Sequence, residues 1–230
     1  MITQRKAQNC GHADYGWLKS RYTFSFGHYF DPKLMGYASL RVLNQDVLAP
    51  GASLQPRTFP RVDVLNIILD GDVEYRDSEG SHTQAHTGDV VLLATQGNIS
   101  YSEHNLNSDK PLTRMQLWLN VCPERENDEI QRLTLTEEPY RLLASPEGDN
   151  GSLQLRQQVW IHHLDLKPGE KHTLPLHGSR AYVQSIHGSY KTQDSTELLA
   201  CGDGAFINDE EDLTLTAVTP LRALVIDLPV

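Results

Sequence analysis

From Gly51 to Gly71 the chain reads GASLQPRTFPRVDVLNIILDG: a turn, a polar segment, then an apolar run closed by glycine. Its punctuation returns later in the chain. Leu48-Ala49-Pro50-Gly51 recurs as Leu166-Lys167-Pro168-Gly169, a shift of 118, and Ile68-Leu69-Asp70-Gly71 as Ser185-Ile186-His187-Gly188, a shift of 117. Gly88-Asp89-Val90-Val91-Leu92-Leu93 recurs as Gly202-Asp203-Gly204-Ala205-Phe206-Ile207, a shift of 114, and Leu117-Trp118-Leu119 sits where Val225-Ile226-Asp227 does later. Pro-Gly and Gly-Asp are common turn signals taken singly. Four matches in the same order at nearly constant offset read as two copies of one unit.

Each copy is a string of short strands. Val73–Arg76, Met115–Leu119 and Leu213–Ala217 alternate apolar and polar residues, the pattern of a half-buried strand. Turn clusters at Asp77–Gly80, Asn105–Asp109 and Gly148–Gly151 separate such segments. Strands and turns at regular spacing, with little helical periodicity, predict antiparallel barrels or jelly rolls. One helix is predicted over Glu124–Leu133, where Pro123 precedes acidic residues suited to a helix N-terminus.

Composition narrows the function classes. The chain has 230 residues, 20 Lys plus Arg, 30 Asp plus Glu and a formal net charge of −10. That balance argues against nucleic acid, whose phosphates call for clustered Lys and Arg. No apolar run approaches the roughly 20 residues of a membrane span, and the N-terminus lacks the apolar segment of a signal peptide. Three widely spaced cysteines without a Cys-x-x-Cys pair fit free thiols in a reducing cytoplasm. Phosphate-binding glycine loops and nucleophile-elbow motifs are missing, so no catalytic residue is assigned.

The Gly51–Gly71 stretch resembles the first cupin signature, in which glycine is followed by a His-x-His pair, a glutamate and a hydrophobic strand ending in glycine. The histidine positions hold Arg57 and Phe59, and the glutamate position holds Asp63. The second signature, opening at Gly88-Asp89, has Tyr101 where its histidine belongs, with Glu103 and Asn105 following. The segments Phe24–Gly51 and Leu69–Gly80, the Ser102-Glu103 pair and the closing Leu224–Val230 resemble the pirin family of bicupins from end to end, and within it an enterobacterial branch lacking the metal ligands.

The resemblance implies an all-β fold of two jelly-roll cupin barrels face to face, with one or two short helices. The domains are set at 1–135 and 136–230, with terminal strands exchanged between them. It also implies that any metal, held by three histidines and a glutamate, sits in the N-terminal barrel, and that some members oxidise flavonols such as quercetin. Carried over, those ligands fall on Arg57, Phe59, Tyr101 and Glu103. Arginine is a permanent cation without a lone pair and phenylalanine has no donor, so no metal and no other cofactor is expected. The alternative is iron, copper or nickel in a divergent quercetin 2,3-dioxygenase-like site. A protein-interaction module, as implied by animal pirins in transcription, is a third reading, with its partner unknown.

The expected role is binding of a small molecule or anion in the N-terminal barrel, or oxidant sensing through a thiol. Arg57 is expected to turn inward and pair with Glu103, Tyr101 to hydrogen-bond a guest or Glu103, and Phe59 to fill the volume of the lost ion. His104, next to Glu103 on a strand, is expected at the surface. His162, His163, His172, His177 and His187 show no ligand spacing, and no second metal site is assigned. Cys122, between a strand end and the predicted helix, is the redox candidate. Cys10 is placed in a mobile terminus and Cys201 beneath the Gly202-Asp203-Gly204 turn.

Overall fold

The computed structural model describes residues 1–193 and 195–229. Among them are twenty-one strands and two three-residue 3-10 helices, Ala7–Asn9 and Asp149–Gly151. No helix among the described residues is long and apolar enough to cross a membrane. The chain divides into two compact units, Gly11–Leu135 and Met1–Cys10 with Thr136–Val230.

After β1 (Ile2–Arg5), the first unit holds β2 (Gly11–Asp14), β3 (Leu18–Tyr22), β4 (Leu40–Leu48), β5 (Ser53–Thr58), β6 (Val62–Asp70), β7 (Asp72–Asp77), β8 (His82–His86), β9 (Asp89–Ala94), β10 (Ser100–Asn105), β11 (Leu112–Asn120) and β12 (Gln131–Thr134). They form a seven-stranded sheet in the order β12-β9-β6-β11-β4-β3-β2 and a four-stranded sheet in the order β5-β10-β7-β8. Val42, Leu48, Val64, Ile68, Val73, Tyr75, Leu112 and Trp118 pack into one core, which joins side chains from both sheets. This is a jelly roll, two antiparallel sheets closed around an apolar interior.

The second unit repeats the plan with β13 (Tyr140–Ser145), β14 (Leu153–Gln154), β15 (Trp160–Leu166), β16 (Lys171–Pro175), β17 (Arg180–His187), β18 (Tyr190–Thr192), β19 (Gly204–Asn208), β20 (Asp212–Ala217) and β21 (Leu221–Asp227). Its sheets run β1-β19-β17-β21-β15-β13-β14 and β16-β20-β18. β1 pairs with β19 from Ile2↔Ile207 to Arg5↔Gly204, so Met1–Cys10 lie with the second unit and the first begins at Gly11 rather than at residue 1, the N-terminal strand being exchanged. That pairing also removes the expected mobile terminus. Cys10 is buried, while Cys201 is exposed rather than covered by its turn.

The repeated motifs perform the same local work twice. Ala52 and Glu170 each donate a backbone hydrogen bond, at 3.0 Å, to the residue before the Pro-Gly pair, Ala49 and Lys167. The Asp of each Gly-Asp pair accepts from a backbone N–H three residues upstream, His86 to Asp89 and Ala200 to Asp203, both at 2.8 Å. Gly71 and Gly188 lie at φ 114° and 86°. A Cβ at Gly188 would come within 2.0 Å of the Pro220 carbonyl, so only glycine turns the chain there.

The helix predicted over Glu124–Leu133 is absent. The segment after β11 is irregular and re-enters the sheet as β12, pairing from Gln131↔Leu92 to Thr134↔Asp89. The 3.6-residue apolar stripe that would have buried such a helix is missing; Ile130 is exposed and Leu133 is buried as a strand residue.

Candidate functional site

β5 is the edge strand of the four-stranded sheet and contains Pro56, which cannot donate to a ladder. The pairing with β10 shifts there: Tyr101 faces Arg57, whereas Glu103 faces Leu54. One residue on β10, Ser102, therefore opposes two on β5, Gln55 and Pro56, which is a bulge. Strict alternation would send Leu54 and Arg57 to opposite faces. With the bulge, both line the barrel interior, together with Phe59, Tyr101 and Glu103. The four positions singled out in the sequence thus converge on one cavity of about 130 Å³.

The expected Arg57–Glu103 pair is not formed. Glu103, 5% exposed, is held instead by Arg114, 2% exposed. Arg114 Nε and Nη2 reach the two carboxylate oxygens at 2.8 and 2.9 Å, a bidentate fork. The third nitrogen, Nη1, donates to Asp46. Tyr75 Oη adds a 3.2 Å hydrogen bond to Glu103 Oε1. Register places each member: Arg114 on β11 stands directly across from Asp46 on β4, and Glu103 on β10 directly across from Tyr75 on β7. The ion triad therefore ties the seven-stranded sheet to the four-stranded one through the middle of the barrel. Burial works to lower the Arg114 pKa, but Glu103 and then Asp46 outweigh it and hold the guanidinium well above its ordinary range. Burial, followed by the Glu103 charge, raises the Tyr75 phenol well above its ordinary value, so it acts as a neutral donor.

Arg57 keeps its contact with solvent and is surrounded by rings. Its Cζ lies 5.4 Å from the Phe26 centroid and 5.2 Å from those of Phe59 and Trp118. Partial burial, and next the charge of Arg114, lower its pKa from the usual arginine value without bringing it near neutrality. Arg57 forms no ion pair with a carboxylate among the described residues. Phe59 packs edge-on against Tyr101 and Trp118, at centroid distances of 5.9 and 5.1 Å. His104 is half-buried, and its Nε2 lies 2.8 Å from Ser102 Oγ, on the strand face opposite Glu103.

These residues do not fit a divalent metal. Three of the four inherited ligand positions carry a guanidinium, a phenyl ring and a phenol, and both oxygens of the fourth are engaged by Arg114. Among the described residues no group of three or more His, Cys, Asp or Glu side chains is arranged to hold a metal ion. In the second unit, His162 Nδ1 meets Tyr140 Oη at 2.8 Å, and His177 Nδ1 meets buried Asp227 at 2.9 Å while stacking on Trp160. Cys122 is half-buried in the irregular segment after β11 and has no helix end beside it.

Arg114 and Asp46 are the site residues that sequence reasoning missed. The signal was their strand phase: Arg114 shares its face of β11 with Leu112 and Trp118, and Asp46 shares its face of β4 with Val42 and Leu48, all core residues. A lone charge on a buried strand face needs a buried partner.

Residues 3–119 match the Pirin family and residues 142–228 match the Quercetinase C-terminal cupin domain. The chain is 66% identical to the Pirin-like protein YhaK of Escherichia coli over the full length of both. It is 31% identical to the Quercetin 2,3-dioxygenase of Escherichia coli, covering 100% of this chain and 99% of that protein. The crystal structure of the bacterial pirin YhhW from Escherichia coli in complex with nickel(II) superposes with a TM-score of 0.93 at 29% identity, covering 100% of this chain and 99% of that one. With both cupin domains matched and the full-length likeness to YhaK, this chain belongs to the pirin family.

Proposed function

We propose that the first barrel is a binding site for a small anion and does not carry metal-dependent oxidation. The observation that supports this reading is the Arg114 fork on Glu103. A guanidinium stands at the one inherited ligand that is retained, and its charge is answered by Asp46 and Glu103. Arg57 faces the same cavity with no carboxylate of its own. An anion beside Arg57 supplies the missing charge, and Leu18, Phe59 and Leu93 give the inner part of the cavity apolar walls. The cavity is smaller than the roughly 300–1,000 Å³ of sites for drug-sized ligands, which fits formate, nitrate or acetate rather than a flavonol.

The test is calorimetric titration with sodium formate and sodium nitrate. Binding to the wild type that is lost in Arg57→Met and kept in Tyr101→Phe is the expected result; no heat with any small anion sinks the reading. A second arm loads iron(II), copper(II) or nickel(II) and follows quercetin absorbance, where background rates are expected. Arg57→His, Phe59→His and Tyr101→His together should still bind nickel poorly, because Arg114 keeps Glu103. Adding Arg114→Gln should release the carboxylate and bring nickel binding back.

A further inference from the structure

Beside the cavity, on the other side of the Arg57–Phe26–Trp118 cluster, the first unit has an open groove of about 530 Å³. Arg41, Arg57 and Arg61 line it with Phe26, Met35 and Trp118, and no acidic side chain does. In a chain of net charge −10, three guanidiniums around one depression are a local reversal of sign. Arg61 is committed to structure, since it donates to the backbone carbonyls of Cys122 at 3.4 Å and Arg125 at 2.6 Å. Arg41 and Arg57 have no carboxylate partner among the described residues. Phe26 is half-exposed and meets Trp118 edge-on at 5.7 Å, and Met35 is 46% exposed, so the wall between the two arginines is aromatic and thioether surface.

We infer that this groove recognises a small aromatic carboxylate, with the ring against Phe26 and Met35 and the carboxylate on Arg57 and Arg41. The inference rests on the anion-binding reading of Arg57 and names the larger ligand class that Arg57 serves from its outer side. A guanidinium fork matches the two coplanar oxygens of a carboxylate. A groove with this much apolar lining favours one charge over the two of a phosphate monoester, whose desolvation costs more. The ring supplies contact area that a bare anion lacks, and sulfur and aromatic edges both pack well against it.

Calorimetric titration of the full chain with benzoate, cyclohexanecarboxylate, phenyl phosphate and formate tests this. Benzoate should bind about ten-fold tighter than formate and tighter than either other ring compound. Arg41→Met should weaken benzoate by about ten-fold and leave formate unchanged, and Arg41→Lys should recover part of the loss. Phe26→Leu should reduce the preference for benzoate over cyclohexanecarboxylate. Thermal melting of each variant checks that it is folded. Equal affinity for benzoate and formate, or an Arg41→Met variant indistinguishable from wild type, overturns the groove while leaving the small-anion cavity standing. Formate without effect beside tight, Arg41-dependent benzoate binding sinks the cavity reading and leaves the groove.

Discussion

The two barrels share a plan and fill it with opposite chemistry. Four residues after the repeated glycine stand Tyr75 in the first unit and Thr192 in the second. Tyr75 pairs across the small sheet with Glu103, whereas Thr192 pairs with Leu215. The rung that carries a carboxylate in one barrel thus carries a leucine in the other. Around Leu215 the second interior is a continuous apolar cluster that includes Leu164, Leu174, Val183, Leu213, Leu221 and Val225. The first interior instead spends its centre on Asp46, Arg114 and Glu103 and leaves a cavity beside them. A jelly roll needs only enough inward volume of any kind to close. A buried guanidinium–carboxylate triad kept in one barrel, where the matching rung of the other carries Leu215, therefore marks a requirement other than folding.

The largest effect should come from breaking the triad. Glu103→Gln leaves Arg114 in a dry interior with Asp46 as its one remaining carboxylate, and should destabilise the protein by about 3–5 kcal/mol. Arg114→Met should cost a similar amount by stranding two buried carboxylates. Replacing all three, Asp46→Leu, Glu103→Leu and Arg114→Met, makes the first barrel resemble the second and should recover most of the loss. Chemical denaturation of the singles and the triple checks it. Additive losses would mean that the three charges do not act as a unit. Arg57→Met, by contrast, removes a solvent-touching cation from three rings and should cost about 1 kcal/mol.

That contrast also shows what the sequence made legible. Strand positions and the repeat were readable because alternation and turn glycines are local properties. The pairing of Glu103 was not readable, because it depends on which strands become neighbours. Arg57 and Arg114 are both arginines within reach of a barrel interior in the linear reading. The bulge at Pro56 turns Arg57 toward the aromatic side, and the β4–β11 register aims Arg114 at Glu103. The helix forecast for Glu124–Leu133 failed for a related reason: acidic residues after a proline are a capping pattern, but no apolar stripe followed to be buried.

A second, smaller difference is the response to acid. In the second unit, His162 and His163 are held neutral, with pKa values lowered to about 4. Burial is the main cause for both, followed by nearby His177 and His172 for the first and Arg222 for the second. The Arg222 guanidinium donates toward His163 Nε2 at 3.3–3.4 Å, as it can only to a neutral imidazole. The unfolded chain titrates near pH 6.5 and so binds more protons than the folded one between about pH 4 and 6.5. Stability from these residues is fully present above that window and is lost as pH falls through it, up to about 3 kcal/mol for each histidine. Asp227, raised by burial, works in the opposite direction, so the comparison that isolates the effect is His162→Leu against wild type. Urea denaturation at pH 7 and pH 4.5 should show a smaller drop for the variant; equal drops would remove His162 as a cause.

The smallest expected effect is the order of thiol reaction, which separates the units by access alone. Reactivity follows thiolate fraction and exposure. Cys201 of the second unit is exposed, Cys122 of the first is half-buried, and Cys10 is buried. The helix-end field that made Cys122 the redox candidate is absent, since its segment is irregular and leads into β12. What remains in favour of Cys122 is its place beside Arg61, whose guanidinium touches the Cys122 carbonyl at 3.4 Å and sets a positive charge close to the residue. A neutral alkylating reagent samples exposure and should label Cys201 first, then Cys122, then Cys10. Mild peroxide with a sulfenic-acid trap samples thiolate character as well. If Cys122 overtakes Cys201 under peroxide while trailing it under alkylation, something besides access favours Cys122, and Arg61→Gln tests whether the contact at its carbonyl is the cause. The same order with both reagents would leave access as the whole explanation and remove oxidant sensing by Cys122 from the functions open to this chain.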